Sequence, residues 1–218
     1  MKKLFLLLLV SFPPVMEALA QYKVCYSQED YVEGKWETVD TLYAVHHGKG
    51  HQLWWGGNDF TMKSGDKNLD KAIKKDVFAV MMYDSLYVNC RPLRYEKTRF
   101  GNGYTKGMPI GEHSILIVNR MIGKNAVNHA ISMGFFFGIA GGMIAANENM
   151  KQQVCYVISF GANEKGQVDI RLVDDQMIEM MLKGQDQLLR DYYAEEDADL
   201  RMLATHVVPI LRRSGLMK

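Results

Sequence analysis

Three histidines lie close together at a predicted turn. His46, His47 and His51 fall within six residues, and Gly48 and Gly50 between them favour a tight change of chain direction. Imidazole rings grouped in this way can bind transition metals. The spacing matches no established metal motif, however, and histidines at a hairpin tip are commonly solvated. The sequence therefore predicts no metal site, and these three residues are its only candidates.

Aromatic and flexible polar residues follow the histidines and suggest ligand binding. Trp54 and Trp55 precede the turn residues 56–59, and the Gly-rich segment 100–111 contains Tyr104. Aromatic rings beside a polar turn can stack on a sugar or a peptide. Successive residues of a strand face opposite ways, so one Trp is expected inside and the other at the surface. The competing interpretation places both rings in the core. The candidate ligand-binding residues are Trp54, Trp55, Asn58 and Tyr104.

Residue types used by hydrolases occur together at Glu112-His113-Ser114. Neighbouring residues of a strand cannot converge as a catalytic triad does, and the sequence contains no G-x-S-x-G, H-E-x-x-H or C-x-x-C motif. The G-x-G-x-x-G pattern fails at residues 101–106 because Lys106 occupies the third glycine position. Asp174 and Asp175 could act as an acid–base pair, although a helix cap explains one of them. No catalytic residue is predicted.

Composition sets broad limits on the class of protein. The chain has 218 residues, 48% hydrophobic and 23% charged, with a formal net charge of +1. These values are typical of a globular protein, and the absence of a basic field argues against a nucleic-acid partner. Three cysteines are too few for a disulfide scaffold and allow at most one disulfide in an oxidising compartment.

The N-terminus has the features of an export signal. Lys2 and Lys3 precede an apolar run over residues 4–12, and the small-x-small pattern at residues 18–20 predicts cleavage before Gln21. The apolar run is too short to span a bilayer. Because a lipoprotein needs Cys directly after the cleavage site, the mature chain is not expected to be an N-terminal lipoprotein. We expect a periplasmic or outer-envelope location.

Small residues recur at every fourth position within residues 126–147. On a helix they would form one groove, lined by Ala130, Gly134, Gly138, Gly142 and Ala146. Four glycines in this helix would cost roughly 3–4 kcal/mol relative to alanine, so the groove is expected to pack against another surface. Three surfaces remain open: the rest of the chain, a second copy of the protein, and a lipid bilayer.

Alternation and turn residues predict the other elements. Hairpins are expected at 38–45 with 51–55, at 77–83 with 86–88 and at 154–160 with 168–172, with a further strand at 115–118. Residues 100–111 contain four Gly and one Pro and predict a long loop. Helices are expected at 69–75, after Asp174 or Asp175, and from Leu200 to Leu211 with a kink at Pro209.

These elements predict an α+β fold. Antiparallel hairpins would form one or two sheets, accompanied by a Gly/Ala-rich apolar helix and C-terminal helices. The expected regions are a signal peptide at 1–20, a β-rich region at 21–125, the small-residue helix at 126–147, and a hairpin with C-terminal helices at 148–218.

Several segments carry a resemblance to a known group of proteins. They are residues 36–43, 54–59, 84–89, 100–103 and 141–146. These segments resemble an uncharacterised family of secreted proteins from Bacteroidota, and the similarity extends over nearly all of the mature chain. The resemblance implies export across the inner membrane and carries over no catalytic residue.

Three functional hypotheses follow. The first is a non-enzymatic envelope protein that uses residues 126–147 for homo-oligomerisation or membrane contact. The alternative is a periplasmic module that binds a glycan or peptide through an exposed Trp and the Gly-rich loop. A hydrolase that uses Ser114 or a Cys–His pair is the third. None of these hypotheses involves a cofactor.

Overall fold

The structure is a computed structural model, which describes residues 22–48, 50–52, 57–123, 153–160 and 168–217. Three sequence predictions lie outside these residues: the signal peptide, the pair Trp54 and Trp55, and the small-residue helix at 126–147. Among the helices that are described, none is both long and apolar enough to cross a membrane.

One large antiparallel sheet organises the described chain. Its strands are β1 (Tyr22–Cys25), β2 (Glu37–Thr38), β3 (Tyr43–His46), β4 (Phe60–Lys63), β5 (Ala79–Met82), β6 (Ser85–Asn89), β9 (Tyr104–Ile110), β10 (Ser114–Arg120), β11 (Gln153–Ser159) and β12 (Asp169–Leu172). The strand order is β12-β11-β10-β9-β6-β5-β1-β2, and the β3–β4 pair joins β9. A separate hairpin contains β7 (Arg94–Tyr95) and β8 (Thr98–Arg99).

Helices surround this sheet and confirm the predicted α+β class. The described helices are α1 (Gln28–Val32), α2 (Lys67–Lys75), α3 (Asp175–Met181), α4 (Asp186–Tyr193), α5 (Ala198–Arg201) and α6 (Ala204–Arg213). Asp174 caps α3 by accepting a hydrogen bond from the backbone N–H of Met177, as expected for a carboxylate at this position. The last predicted helix is instead two helices, interrupted at Leu203, whose backbone forms an isolated bridge with Val154.

Two predicted hairpins are confirmed. Strands β5 and β6 pair with Met82 opposite Ser85, and the turn between them places Tyr83 at a φ of 52°. Strands β11 and β12 pair with Tyr156 opposite Leu172. The continuous apolar run at 77–83 and the alternation at 154–172 thus identify paired strands, and β11 is buried on both faces.

The predicted partner of β3 is wrong. The sequence favours residues 51–55, but β3 pairs with β4, with His46 opposite Phe60. Residues 50–52 are helical instead. Strand β4 directs Phe60 and Met62 into the apolar cluster that Ala44 also contacts, whereas Gln52 binds polar groups of the turn. Burial of apolar side chains therefore selects β4 as the partner.

The predicted long loop at 100–111 is also wrong over most of its length, because residues 104–110 form the central strand β9. Gly107 permits this strand: a Cβ atom there would lie 2.9 Å from Val88 and 3.0 Å from Ile115. The glycine that indicates a loop in the sequence instead lets the side chains of two neighbouring strands close over the backbone.

Apolar clusters lie on both faces of the sheet. On one face, inward residues of β6, β10 and β11 pack with residues of the loops after β6 and β10. On the other face, the C-terminal helices cover Leu116 and Cys155, and α2 lies over Val24 and Val80. Because β10 pairs with β11, the regions predicted at 21–125 and 148–218 share one sheet.

The three cysteines are buried free thiols. Burial raises the pKa of the Cys25 thiol to about 11 and that of Cys155 to about 12, and it also raises the pKa of Cys90. Such thiols are protonated at neutral pH, so they lack the thiolate that nucleophilic catalysis needs.

Candidate ligand-binding site

A cavity of about 440 Å³ lies between β4, α2 and the Gly-rich turn that precedes β9. The turn after β3 provides a further wall through His47 and His51. This cavity collects residues from four separate stretches of the sequence, and its size is within the range of small-molecule sites. It is therefore the candidate functional site.

The two histidines of the cavity form a stacked pair. Their ring centroids are 4.4 Å apart with an interplanar angle of 14°. The Nε2 atom of His47 shares a hydrogen bond of 2.8 Å with the Thr61 hydroxyl, which fixes the ring against β4. Partial burial lowers the pKa of His47, and the neighbouring imidazoles of His51 and His46 lower it further.

The third predicted metal candidate points elsewhere. The ring of His46 packs edge-on against Phe60 at a centroid distance of 5.3 Å, and His46 does not line the cavity. The part of the chain that the structure describes contains no group of three His, Cys, Asp or Glu side chains placed to hold a metal ion. The stacked rings of His47 and His51 are thus better suited to hydrogen bonding at the cavity wall.

Gln52 holds the histidine turn in place, a role that the sequence does not predict. Its side chain is 6% exposed, and its amide nitrogen donates to the His47 carbonyl over 3.0 Å and to the Asp59 carboxylate over 2.9 Å. The His47 backbone N–H also donates to the Asp59 carbonyl over 2.7 Å. These hydrogen bonds hold the histidine turn through its backbone and through Asp59, which does not line the cavity. They do not use the imidazole rings of His47 and His51.

Asn58, a predicted ligand-binding residue, is 4% exposed and instead holds the Gly-rich turn. Its amide nitrogen donates to the carbonyls of Phe100 and Asn102 over 3.1 and 2.9 Å. Its Oδ1 atom accepts a hydrogen bond of 2.7 Å from Asn119. All of these bonds are internal to the protein, so Asn58 positions the cavity wall.

Gly103 is needed where this turn meets β4. It has a φ of +94°, and a Cβ atom there would lie 2.7 Å from the Phe60 carbonyl oxygen. Any other residue would combine backbone strain with a clash against the main chain. The glycine repeat of the sequence therefore marks a close approach between two chain segments.

Tyr104, the other described ligand-binding candidate, lines the cavity but is only 2% exposed. Its hydroxyl donates a hydrogen bond of 2.5 Å to the Ile73 carbonyl of α2, and burial raises the pKa of this phenol. Tyr104 thus connects β9 to α2, and its hydroxyl is already engaged within the protein.

Charged groups enter the cavity from β4 and α2. Lys63, Asp70 and Lys74 line it, and the two lysines are exposed. The Asp70 carboxylate accepts hydrogen bonds from the Ser64 backbone N–H and hydroxyl over 2.6 and 2.8 Å. These bonds and the Lys63 charge lower the pKa of Asp70. β4 and α2 are consecutive elements, but no sequence motif indicates that Lys63, Asp70 and Lys74 line one cavity.

The residues of the hydrolase hypothesis lie apart from this cavity. Glu112 and His113 are exposed in the turn between β9 and β10, with the His113 Nε2 atom 4.0 Å from the Glu112 carboxylate. The Ser114 hydroxyl donates to Ser159 over 3.3 Å. Asp174 caps α3, and Asp175 binds Arg201. These polar groups are used in structural interactions.

Comparison with known proteins identifies one family. Residues 23–218 match the model of a family described as "Family of unknown function (DUF6563)". No curated protein and no solved structure matches the chain. Because the match extends over nearly the whole length, the chain belongs to this family of unknown function, DUF6563.

Proposed function

We propose that this protein is an exported, non-enzymatic binding module that holds a small ligand in the cavity between β4, α2 and the Gly-rich turn. The observation that carries the proposal is the cavity itself, whose walls are fixed by internal hydrogen bonds. Gln52 anchors the histidine turn, and Asn58 anchors the Gly-rich turn. A site that is formed before its ligand arrives loses less conformational entropy on binding.

A glycan or a peptide is the ligand class that the sequence favours, with Trp54 and Trp55 as stacking surfaces. Both tryptophans lie outside the described residues, but Gly57, two residues after Trp55, lines the cavity. This proximity along the chain supports a contribution from Trp55. If Trp55 stacks on the ligand, binding changes the Trp fluorescence, and Trp55→Ala abolishes the change.

A screen of soluble glycans and peptides for thermal stabilisation of the mature chain tests the proposal. Thr61→Trp should abolish binding of each hit, because the indole would fill the cavity beside His47. Val45→Trp is the matched control: Val45 lies directly opposite Thr61 on β3, is exposed and does not line the cavity. A screen without hits, or a ligand that binds Thr61→Trp as tightly as the parent, would refute the proposal.

Export is part of the proposal. The family match begins at residue 23, two residues after the predicted new N-terminus at Gln21. This observation supports removal of residues 1–20. N-terminal sequencing of protein from the cell envelope should give Gln21, and an N-terminus at Met1 would contradict it.

A second candidate function is self-association or membrane contact through residues 126–147. It is supported by the four-residue spacing of the small residues from Ala130 to Ala146, a segment that lies within the family match. Gly138→Leu combined with Gly142→Leu should convert an oligomeric or membrane-bound protein into a soluble monomer. Unchanged sedimentation and fractionation of this double variant would exclude the candidate.

A further inference from the structure

We infer that the ligand of this cavity carries an oxyanion group, a carboxylate or a phosphate, held by Lys63 and Lys74 with His47 beside them. This inference rests on the proposed binding function and adds the chemical class of the ligand.

The charges of the cavity favour an anion. Among the described residues, neither Lys63 nor Lys74 forms an ion pair, whereas the Asp70 carboxylate is bound by two groups of Ser64. The nearby Asp59 carboxylate accepts hydrogen bonds from Gln52 and Thr105. The cavity lining thus carries two ammonium groups against one carboxylate, and the Lys63 charge also acts on Asp70. The remaining positive charge attracts an anion.

The histidine pair adds a contribution that depends on pH. Partial burial lowers the pKa of His47, and repulsion between its ring and the ring stacked at 4.4 Å lowers it further. A bound anion would offset that repulsion, so binding should be accompanied by proton uptake. The charged and titratable groups around His47 are His46 and His51 of its own turn, Asp59 and Lys63 of the β4 segment, Asp70 and Lys74 of the α2 segment, and Tyr104 of β9.

A metal cation fits the same groups poorly. It would lie beside two ammonium groups, and the described residues supply no third ligand to accompany His47 and His51. The lining instead combines lysine residues of β4 and α2 with two histidines of the turn after β3, which are residue types that bind anions.

Three sugars of similar size provide the test: glucose, glucuronate and glucose 6-phosphate. Binding to the mature protein is measured by calorimetry, and the side-chain NMR signals of His47 and His51 report whether the ligand occupies the cavity. The two anionic sugars should bind at least about tenfold more tightly than glucose at pH 5.5. Their relative affinities distinguish a carboxylate from a phosphate as the preferred group.

Lysine substitutions show whether the cavity charges cause the preference for the anionic sugars. Lys63→Met combined with Lys74→Met should remove the preference for the anionic sugars. Lys71→Met should keep it, because Lys71 is exposed on the same helix but does not line the cavity. Binding should also weaken between pH 5.5 and 8 and as the salt concentration rises.

Each contrary result has a distinct meaning. Equal affinity for glucose and the two anions would overturn the inference while leaving the proposed binding function intact. Loss of the anion preference in Lys71→Met to the same degree would overturn it as well, since the attraction would then be nonspecific. If none of the three sugars binds, the inference fails for both anion types, and the glycan and peptide screen decides the binding function separately.

Discussion

The amide nitrogen of Asn119 donates a hydrogen bond of 2.7 Å to Oδ1 of Asn58, and the two residues are 6% and 4% exposed. This bond lies where two strands separate: β9 pairs with β10 as far as Gly107, but Tyr104 pairs with Phe60 of β4. Asn58 and Asn119 therefore join the end of β10 to the segment that enters β4. The same Asn58 side chain holds the turn of the candidate site, so sheet geometry and cavity shape depend on one amide.

Asn58→Ala should lower the free energy of unfolding by about 2–4 kcal/mol, because the Phe100 and Asn102 carbonyls and the Asn119 amide would lose a buried partner. Urea denaturation measures the change. Asn102→Ala is the control: its backbone carbonyl remains, its side chain is exposed, and its effect should be within about 0.5 kcal/mol. Equal stability of the two variants would contradict the structural role of Asn58.

Gly103→Ala should lower the free energy of unfolding by about 2–4 kcal/mol, since the new methyl group would lie 2.7 Å from the Phe60 carbonyl. Gly111→Ala separates this clash from backbone strain, because Gly111 also has a positive φ but has no atom within 4 Å of a Cβ. The control should cost only about 1 kcal/mol. If denaturation curves show the same loss of unfolding free energy for both variants, backbone strain alone explains why glycine occupies position 103.

Stability should depend on pH through His47. Its pKa is lower in the folded protein than in the unfolded chain. The unfolded chain therefore binds more protons between the two values, so stability rises with pH through this window. The full contribution is present above the unfolded pKa of about 6.5 and decreases as the pH falls towards the folded value.

His47→Gln should reduce this pH dependence, because glutamine does not titrate and can still reach the Thr61 hydroxyl. Thermal melts between pH 5 and 8 provide the measurement. His113→Gln removes an imidazole from an exposed turn and controls for the substitution itself. An unaltered pH profile for His47→Gln would show that His47 is not the group responsible.

Arg201 connects the C-terminal helices. Its guanidinium donates to both oxygens of Asp175 over 2.7 and 3.1 Å, and it lies 4.9 Å from the ring centroid of Tyr193. Arg201→Lys should lower the free energy of unfolding by about 1–2 kcal/mol, because an ammonium group cannot reproduce the two-pronged bond. Arg213→Lys alters a single exposed contact with Asp191 and should melt at the parent temperature. Melting temperatures that fall equally would argue against a special role for Arg201.

The thiols should be unreactive in the folded protein. All three cysteines are buried, and the pKa values of Cys25 and Cys155 are raised to about 11 and 12. Iodoacetamide at pH 8 should label none of them in the native state and all three in urea, as counted by mass spectrometry. Rapid native labelling, or a mass that reveals a disulfide, would contradict the buried free thiols.

Several parts of the fold follow from local sequence patterns. A continuous apolar run followed by turn residues predicts the β5–β6 hairpin, and alternation of apolar residues predicts the β11–β12 hairpin. The aspartates before Met177 predict the cap of α3. These elements are predictable because each depends on side chains within a few residues of one another.

The candidate site depends on contacts between distant segments, and only the tertiary structure decides it. Gly107 lies within a strand because Val88 and Ile115 close over it, and Asn58 is buried because Asn119 of β10 and the Phe100 carbonyl of the Gly-rich turn reach it from other segments. His47 and Lys74 likewise meet at one cavity although 27 positions separate them in the chain. The sequence by itself determined the α+β class, two of the hairpins and the residue types available for binding. Strand pairing over long separations decided which of those residues line the cavity and which support it, because hydrogen bonding and burial are settled only when remote segments pack together.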